Sequence, residues 1–181
     1  MDNQNNDNAS YLAMLNNPTI NPPAKPPKKD SPKQGVQLAS ATFSAAMVAQ
    51  QSLKDMSSDL DLVSETDAPF ESLNIAWDKT ALPTAEELIN LGLVEEDGDR
   101  EVKTVAAFFE PFTTEENDPY KQAAGFRALL QKFEELFSDA EQDAKVYLIG
   151  DITITVLILG IIRGDNGKHA LVGLKSMLVE T

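Results

Sequence analysis

The chain has no cysteine, one histidine, one tryptophan and fewer basic than acidic residues. Without cysteine there are no disulfides, no thiolate nucleophile and no Cys-ligated zinc. With His169 alone, a Ser-His-Asp triad has one possible base, and a His-rich metal site cannot be built. No apolar run reaches the roughly 18 residues a membrane-spanning helix needs. The first ten residues, MDNQNNDNAS, lack the basic start and apolar stretch of a secretory signal, so a cytoplasmic location is expected. Neither G-x-x-x-x-G-K-[ST] nor G-x-G-x-x-G occurs, which removes the common phosphate-cradling loops.

What is present is negative charge, unevenly placed. Lys+Arg number 15 against 29 Asp+Glu, for a net charge of −14. Residues 1–40 hold Lys25, Lys28, Lys29 and Lys33 against Asp2, Asp7 and Asp30, a net of +1, so the remainder carries −15. Such a body repels nucleic-acid phosphates and anionic membranes, and neither is expected as a direct partner. It attracts basic proteins and cations. Charge alone fits equally a solvated acidic domain with no such partner.

Residues 1–40 have the composition of a disordered tail. Asparagine is frequent up to Asn21, and NPPAKPPKKDSPK (Asn21 to Lys33) is rich in proline and lysine. Such a segment buries too little apolar surface to offset its ordering entropy. Tyr11, Leu12, Met14 and Leu15 form its one apolar cluster, a candidate docking motif. From 41 to 181 the composition is that of a folded domain.

The first expected helix begins near Ser40 and runs on to the Asp59-Leu60-Asp61-Leu62 stretch, with Phe43, Met47, Gln50 or Gln51, and Lys54 along one face and Ala46 and Leu53 beside it. Pro69 to Asp78 alternates, with Leu73, Ile75 and Trp77 on one face, which predicts a strand. Thr84 and Glu87 have capping-box spacing at the head of a short helix that stops near Gly92. Glu101 to Val105 is a further candidate strand. A long amphipathic helix is expected from about Asp118 to Phe137, with Phe126, Leu129, Leu130, Phe133, Leu136 and Phe137 as its stripe. Then KVYLIG and DITITVLILGIIRG predict strands, Gly164-Asp165-Asn166-Gly167 a hairpin turn, and HALVGLKSMLVET the return strand. Val156 to Ile162 is apolar on both faces, as in a central strand covered on both sides. Helices around a mainly antiparallel central sheet give an α+β fold.

Few residues offer chemistry. His169 follows a hairpin turn, at a strand end. Ser64, Glu65, Thr66 and Asp67 form a polar cluster that is either a linking turn or a contact loop. Glu95, Glu96, Asp97 and Asp99 are acidic, but lack the D-x-D-x-D-G spacing and distal glutamate of a calcium loop. Trp77 fits core or strand-edge packing. The final strand, Leu174 to Thr181, runs to the end of the sequence. Either it simply stops, or it presents the Thr181 hydroxyl and main-chain carboxylate as hard oxygens of the kind Mg²⁺ or Mn²⁺ accepts.

Four stretches in order resemble the nuclease A inhibitors of cyanobacteria and relatives, over roughly Ser52 to Thr181. They are LVSETDAPFESLNIAWD (Leu62 to Asp78), AAFFEPFTT (Ala106 to Thr114) with the acidic loop and long helix after it, KVYLIGDITITVLILGII, and LVGLKSMLVET with its terminal V-E-T. The resemblance implies a three-layer α/β/α-type sandwich. It implies a non-enzymatic inhibitor that binds a sugar-nonspecific DNA/RNA endonuclease of the ββα-metal class, as a monomer in a 1:1 complex. The family's C-terminal threonine reaches the nuclease's catalytic divalent ion, and Thr181 matches it, preceded by Glu180. Any Mg²⁺ or Mn²⁺ is then the partner's, contacted in trans, with no cofactor of the chain's own. The glutamate of the family's M-S-E pairs with a nuclease arginine, and Glu65 of Val63-Ser64-Glu65 matches it. The family tryptophan after T-T is absent here, and Tyr120 is the aromatic in that stretch. The competing expectation is an adaptor domain of the same fold that binds a different partner, through the tail.

Overall fold

The structure, a computed structural model, describes residues 38–95, 97–138 and 143–180. The tail through residue 37 with its Tyr11 to Leu15 motif, Glu96 of the acidic loop, and Thr181 lie outside the described residues. Elements follow in the order α1 (Ser44–Ser57), β1 (Asp61–Val63), β2 (Asp67–Pro69), β3 (Glu71–Trp77), α2 (Ala85–Asn90), β4 (Arg100–Thr104), α3 (Val105–Phe109), α4 (Ala123–Leu136), β5 (Lys145–Ile149), β6 (Thr153–Arg163) and β7 (His169–Val179). The fold is α+β. One sheet of five strands runs β3-β7-β6-β5-β4, with every neighbour antiparallel, and β1 and β2 make a separate two-stranded hairpin.

Strand β6 lies at the centre, and its residues Thr155 to Ile161 are all buried, as a strand apolar on both faces requires. Alternation sends its side chains to two cores. Val156 and Ile158 join Val146, Ala170, Val172 and Leu174 under α1, α3 and α4. Leu157, Leu159 and Ile161 join Ile75, Tyr147, Ile149 and Leu171 on the other face. That face is covered by α2 and the coil around it, through Leu82, Leu88, Leu91 and Leu93. Thr84 and Glu87 close the expected capping box, which contributes about 1 kcal/mol. Lys79 pairs with Glu87 and holds its carboxyl below the usual range. Tyr147 donates from its hydroxyl to the Pro83 carbonyl at 2.7 Å, and burial pushes its pKa up to about 12.

The helical face is built on phenylalanine. Phe109, Phe126 and Phe133 pack at centroid distances of 5.7 and 6.4 Å, and Phe112 lies 5.2 Å from Phe126. The α4 stripe is as expected: Phe126, Leu129, Phe133 and Phe137 are buried. Three local readings are corrected. Helix α1 buries Ala46, Ala49, Leu53 and Ser57, while Met47 is 54 % exposed. Small alanines let the helix lie close over the sheet, so the larger methionine does not mark the inner face. Helix α4 begins at Ala123, not Asp118, because the Asp118 carboxylate caps from ahead, accepting from the N–H groups of Gln122 (2.7 Å) and Ala123 (2.9 Å). The segment after α1 forms the β1–β2 hairpin, which sequence alternation over three-residue strands does not reveal.

A candidate partner-binding end of the sheet

Strand β7 ends against two other segments. The Val179 N–H donates to Ser64 Oγ at 3.0 Å, and the Val179 carbonyl accepts from the Glu65 N–H at 3.5 Å. The Glu180 N–H donates to the carbonyl of Ile152, in the β5–β6 turn, at 3.0 Å. Ser64 Oγ also donates to the Thr66 carbonyl at 3.2 Å, which closes the β1–β2 turn on itself. The polar cluster Ser64 to Asp67 is therefore a turn, and its backbone and Ser64 hydroxyl hold the last residues of β7. Glu65 and Glu180 are both exposed there.

A second chain of bonds ties Tyr120 to the same region. The Asp61 N–H of β1 donates to Gln122 Oε1 at 2.7 Å, so the head of α4 is fixed to the hairpin that carries Glu65. Tyr120 sits in the turn before it and is 57 % exposed. Lys121 has φ 56° and donates its N–H to the Asp118 carbonyl at 3.2 Å, which sets that turn. The loop ahead is pinned by Arg127, which meets Glu115 at 2.8 Å and the Thr113 carbonyl at 3.1 Å.

Two grooves flank this end. One, of about 550 Å³, has an apolar floor including Leu148, Ile154, Leu178, Phe108 and Phe112, and a rim of Asp99, Arg100, Glu101, Lys103 and Glu180. The other, of about 240 Å³, is lined by Asp61, Val63, Phe126 and Tyr120 among others. Pro111 and Phe112 line both. Glu65 and Glu180 thus meet through Val179, and Tyr120 joins Glu180 through the shared Phe112 wall. Ile152, 62 % exposed beside Glu180, and the groove residues Arg100 and Lys103 were not singled out by sequence. The available signal was the Gly150-Asp151-Ile152 turn between two strands.

The remaining candidates lie elsewhere. His169 opens β7 at the opposite end, paired across the sheet with Trp77 and Arg163. Trp77 is on the edge strand β3, and its Nε1–H donates to the Ala81 carbonyl at 2.9 Å. In the acidic loop Asp97 pairs with Arg100 at 2.9 Å and Glu95 lies 3.6 Å from Lys175. Among the described residues no three acidic or histidine side chains converge as metal ligands, and no helix is long and apolar enough to cross a membrane.

The arrangement suits recognition by surface: acidic side chains and an aromatic ring around apolar grooves, with backbone held at the strand end. A family model described as nuclease A inhibitor-like protein (NuiA) matches residues 47–181. No curated protein matches the chain.

Proposed function

The chain belongs to the nuclease A inhibitor-like family, and on that premise we propose that it binds and occludes the active site of a metal-dependent, non-specific DNA/RNA endonuclease of the ββα-metal class. Thr181 supplies oxygens to the nuclease's Mg²⁺ or Mn²⁺, in place of oxygens of the scissile phosphate. The observation that carries this reading is the clamping of Val179 and Glu180 by Ser64, Glu65 and Ile152. With Val179 and Glu180 already held, binding at this strand end has less backbone to order.

Glu65, beside that strand end, meets a nuclease arginine in a charge-assisted pair. Tyr120 takes the aromatic contact, and Glu180 lies at the rim. Because a nuclease site holds phosphates it is basic, and a chain of net charge −14 is steered toward it. One inhibitor then covers one nuclease, in the cytoplasm, with no catalysis of its own.

The test is a Mg²⁺-dependent DNA digestion by a ββα-metal nuclease with the full chain added. Inhibition is expected. Deleting Thr181 raises the inhibition constant by about 30-fold or more, the loss typical of an interface hot spot, and Glu65→Ala raises it by about tenfold. A full chain that leaves digestion untouched overturns the proposal. Inhibition unchanged by the Thr181 deletion removes the metal contact from it.

A further inference from the structure

The two edges of the five-stranded sheet are finished differently. Strand β3 is covered by the chain ahead of α1: the Ala76 N–H donates to the Ala39 carbonyl at 2.8 Å, and Asn74 Nδ2 donates to the Ala41 carbonyl at 3.0 Å. Strand β4 is last in the sheet order, and no described strand pairs with its outer side. Four of its five residues are exposed, among them Val102 at 51 %. A sheet edge in this state is a template for another strand.

The direction of its free groups follows from the ladder. The Gly150 N–H donates to the Asp99 carbonyl at 3.0 Å, so the backbone of Asp99 faces β5. Alternation turns Glu101 and Lys103 the same way, and turns the N–H and C=O of Arg100, Val102 and Thr104 outward. The sequence Arg100-Glu101-Val102-Lys103-Thr104 is then matched to its own antiparallel copy. With a two-fold axis at Val102, valine faces valine, and every outward N–H meets an outward C=O. Glu101 falls opposite the partner's Lys103, and Lys103 opposite the partner's Glu101. Glu101 and Lys103 already pair within the strand at 3.2 Å. Across the axis each gains a second opposite charge, in the close, non-hydrogen-bonded pairs where cross-strand charges interact most. The strand has no proline, and in this register its charged residues, which elsewhere blunt a sheet edge, meet opposite charges instead of like ones.

We propose that β4 is the seam of a homodimer, formed by antiparallel pairing of this strand with a second copy of the chain about Val102. Glu101 and Lys103 also line the rim of the larger groove, but dimerisation is read by sedimentation of the chain alone and does not depend on the inhibitor reading. A five-residue seam is small, so self-association is weak, with a dissociation constant on the order of 0.1 mM.

Sedimentation of the full chain across that concentration range tests it. The parent should shift from monomer to dimer. E101K sets a lysine against the partner's Lys103, and K103E sets a glutamate against the partner's Glu101. Each alone should raise the dissociation constant about fivefold or more. An equimolar mixture of the two single variants brings only opposite charges together, and should dimerise where neither does alone. The double variant E101K/K103E should associate like the parent. A parent that stays monomeric at about 1 mM, about tenfold above the expected constant, overturns the proposal. So do single variants that dimerise as the parent does, which would place the contact on another surface such as Met47 and Val48 of α1. A mixture that gains no dimer overturns it as well.

Discussion

The β6–β7 hairpin ends in two different ways. At one end it turns through Gly164-Asp165-Asn166-Gly167, where the Gly164 N–H donates to the Lys168 carbonyl at 2.8 Å and Asn166 and Gly167 take φ of 64° and 73°. The turn's backbone bond is between near neighbours in sequence, though Phe43 packs against Gly164 and Trp77 pairs with His169. At the other end the Val179 N–H finds Ser64, 115 residues away, and Glu180 finds Ile152. The turn at the closed end is made by its own residues and lies at the far end of the strands from Glu65 and Glu180, so a change in it is expected to alter stability only. The open end joins three distant segments, so its geometry is set by the whole fold, and it is there that Glu65 and Glu180 come together.

Matched glycine substitutions separate the two ends, and the larger effect belongs to the open one. Gly150 starts the β5–β6 turn with φ 135°, and an added Cβ would lie 2.1 Å from the Thr153 carbonyl oxygen. Gly150→Ala forces that turn open. We expect a loss of about 3 kcal/mol and a melting temperature lower by about 6–12 °C. Inhibition should fall with it even where the variant remains folded, because the turn presents the Ile152 carbonyl that holds Glu180. A melting temperature within about 2 °C of the parent, below the smallest shift expected for 1 kcal/mol, would show that the turn absorbs the side chain and that the open end does not depend on it.

Gly167→Ala is the counterpart. Its φ is 73°, but nothing lies within 4 Å of an added Cβ. The cost is the left-handed backbone alone, about 1 kcal/mol, or about 2–4 °C by calorimetry. Inhibition by this variant should equal the parent's. Equal losses of inhibition at both ends would dissolve the contrast between them.

The same division explains what could be read from sequence. The β6–β7 hairpin, the Thr84–Glu87 capping box and the Phe126 to Phe137 stripe rest on neighbours within a few positions, and each is found where the pattern puts it. Helix α1 departs from the pattern because fit against the sheet, not spacing alone, selects its inner face: Ala46 and Ala49 pack inward and Met47 faces out. The β1–β2 hairpin has strands too short to show a period. At the candidate site, Glu65 and Thr181 came from a family resemblance rather than from periodicity. No local pattern connects Ser64 with Val179, and Ile152 looks like one more turn residue until the Glu180 N–H is seen against its carbonyl.

The smallest expected effect is the sharpest probe of the open end. Ser64 Oγ accepts the Val179 N–H at 3.0 Å and donates to the Thr66 carbonyl at 3.2 Å. Ser64→Ala removes both bonds. Val179 is half-buried, so water replaces part of what is lost, and the cost is about 1 kcal/mol or less. Calorimetry should show a shift of no more than about 2–4 °C. The inhibition constant should rise by about fivefold, because the strand end is then held only by the Glu180–Ile152 bond and the longer Glu65–Val179 bond of 3.5 Å. Ser64→Thr keeps a hydroxyl in place and should recover most of the inhibition. If Ser64→Ala lowers the melting temperature and leaves the inhibition constant unmoved, the Glu180–Ile152 and Glu65–Val179 bonds suffice for binding, and the Ser64 hydroxyl serves the fold rather than the partner.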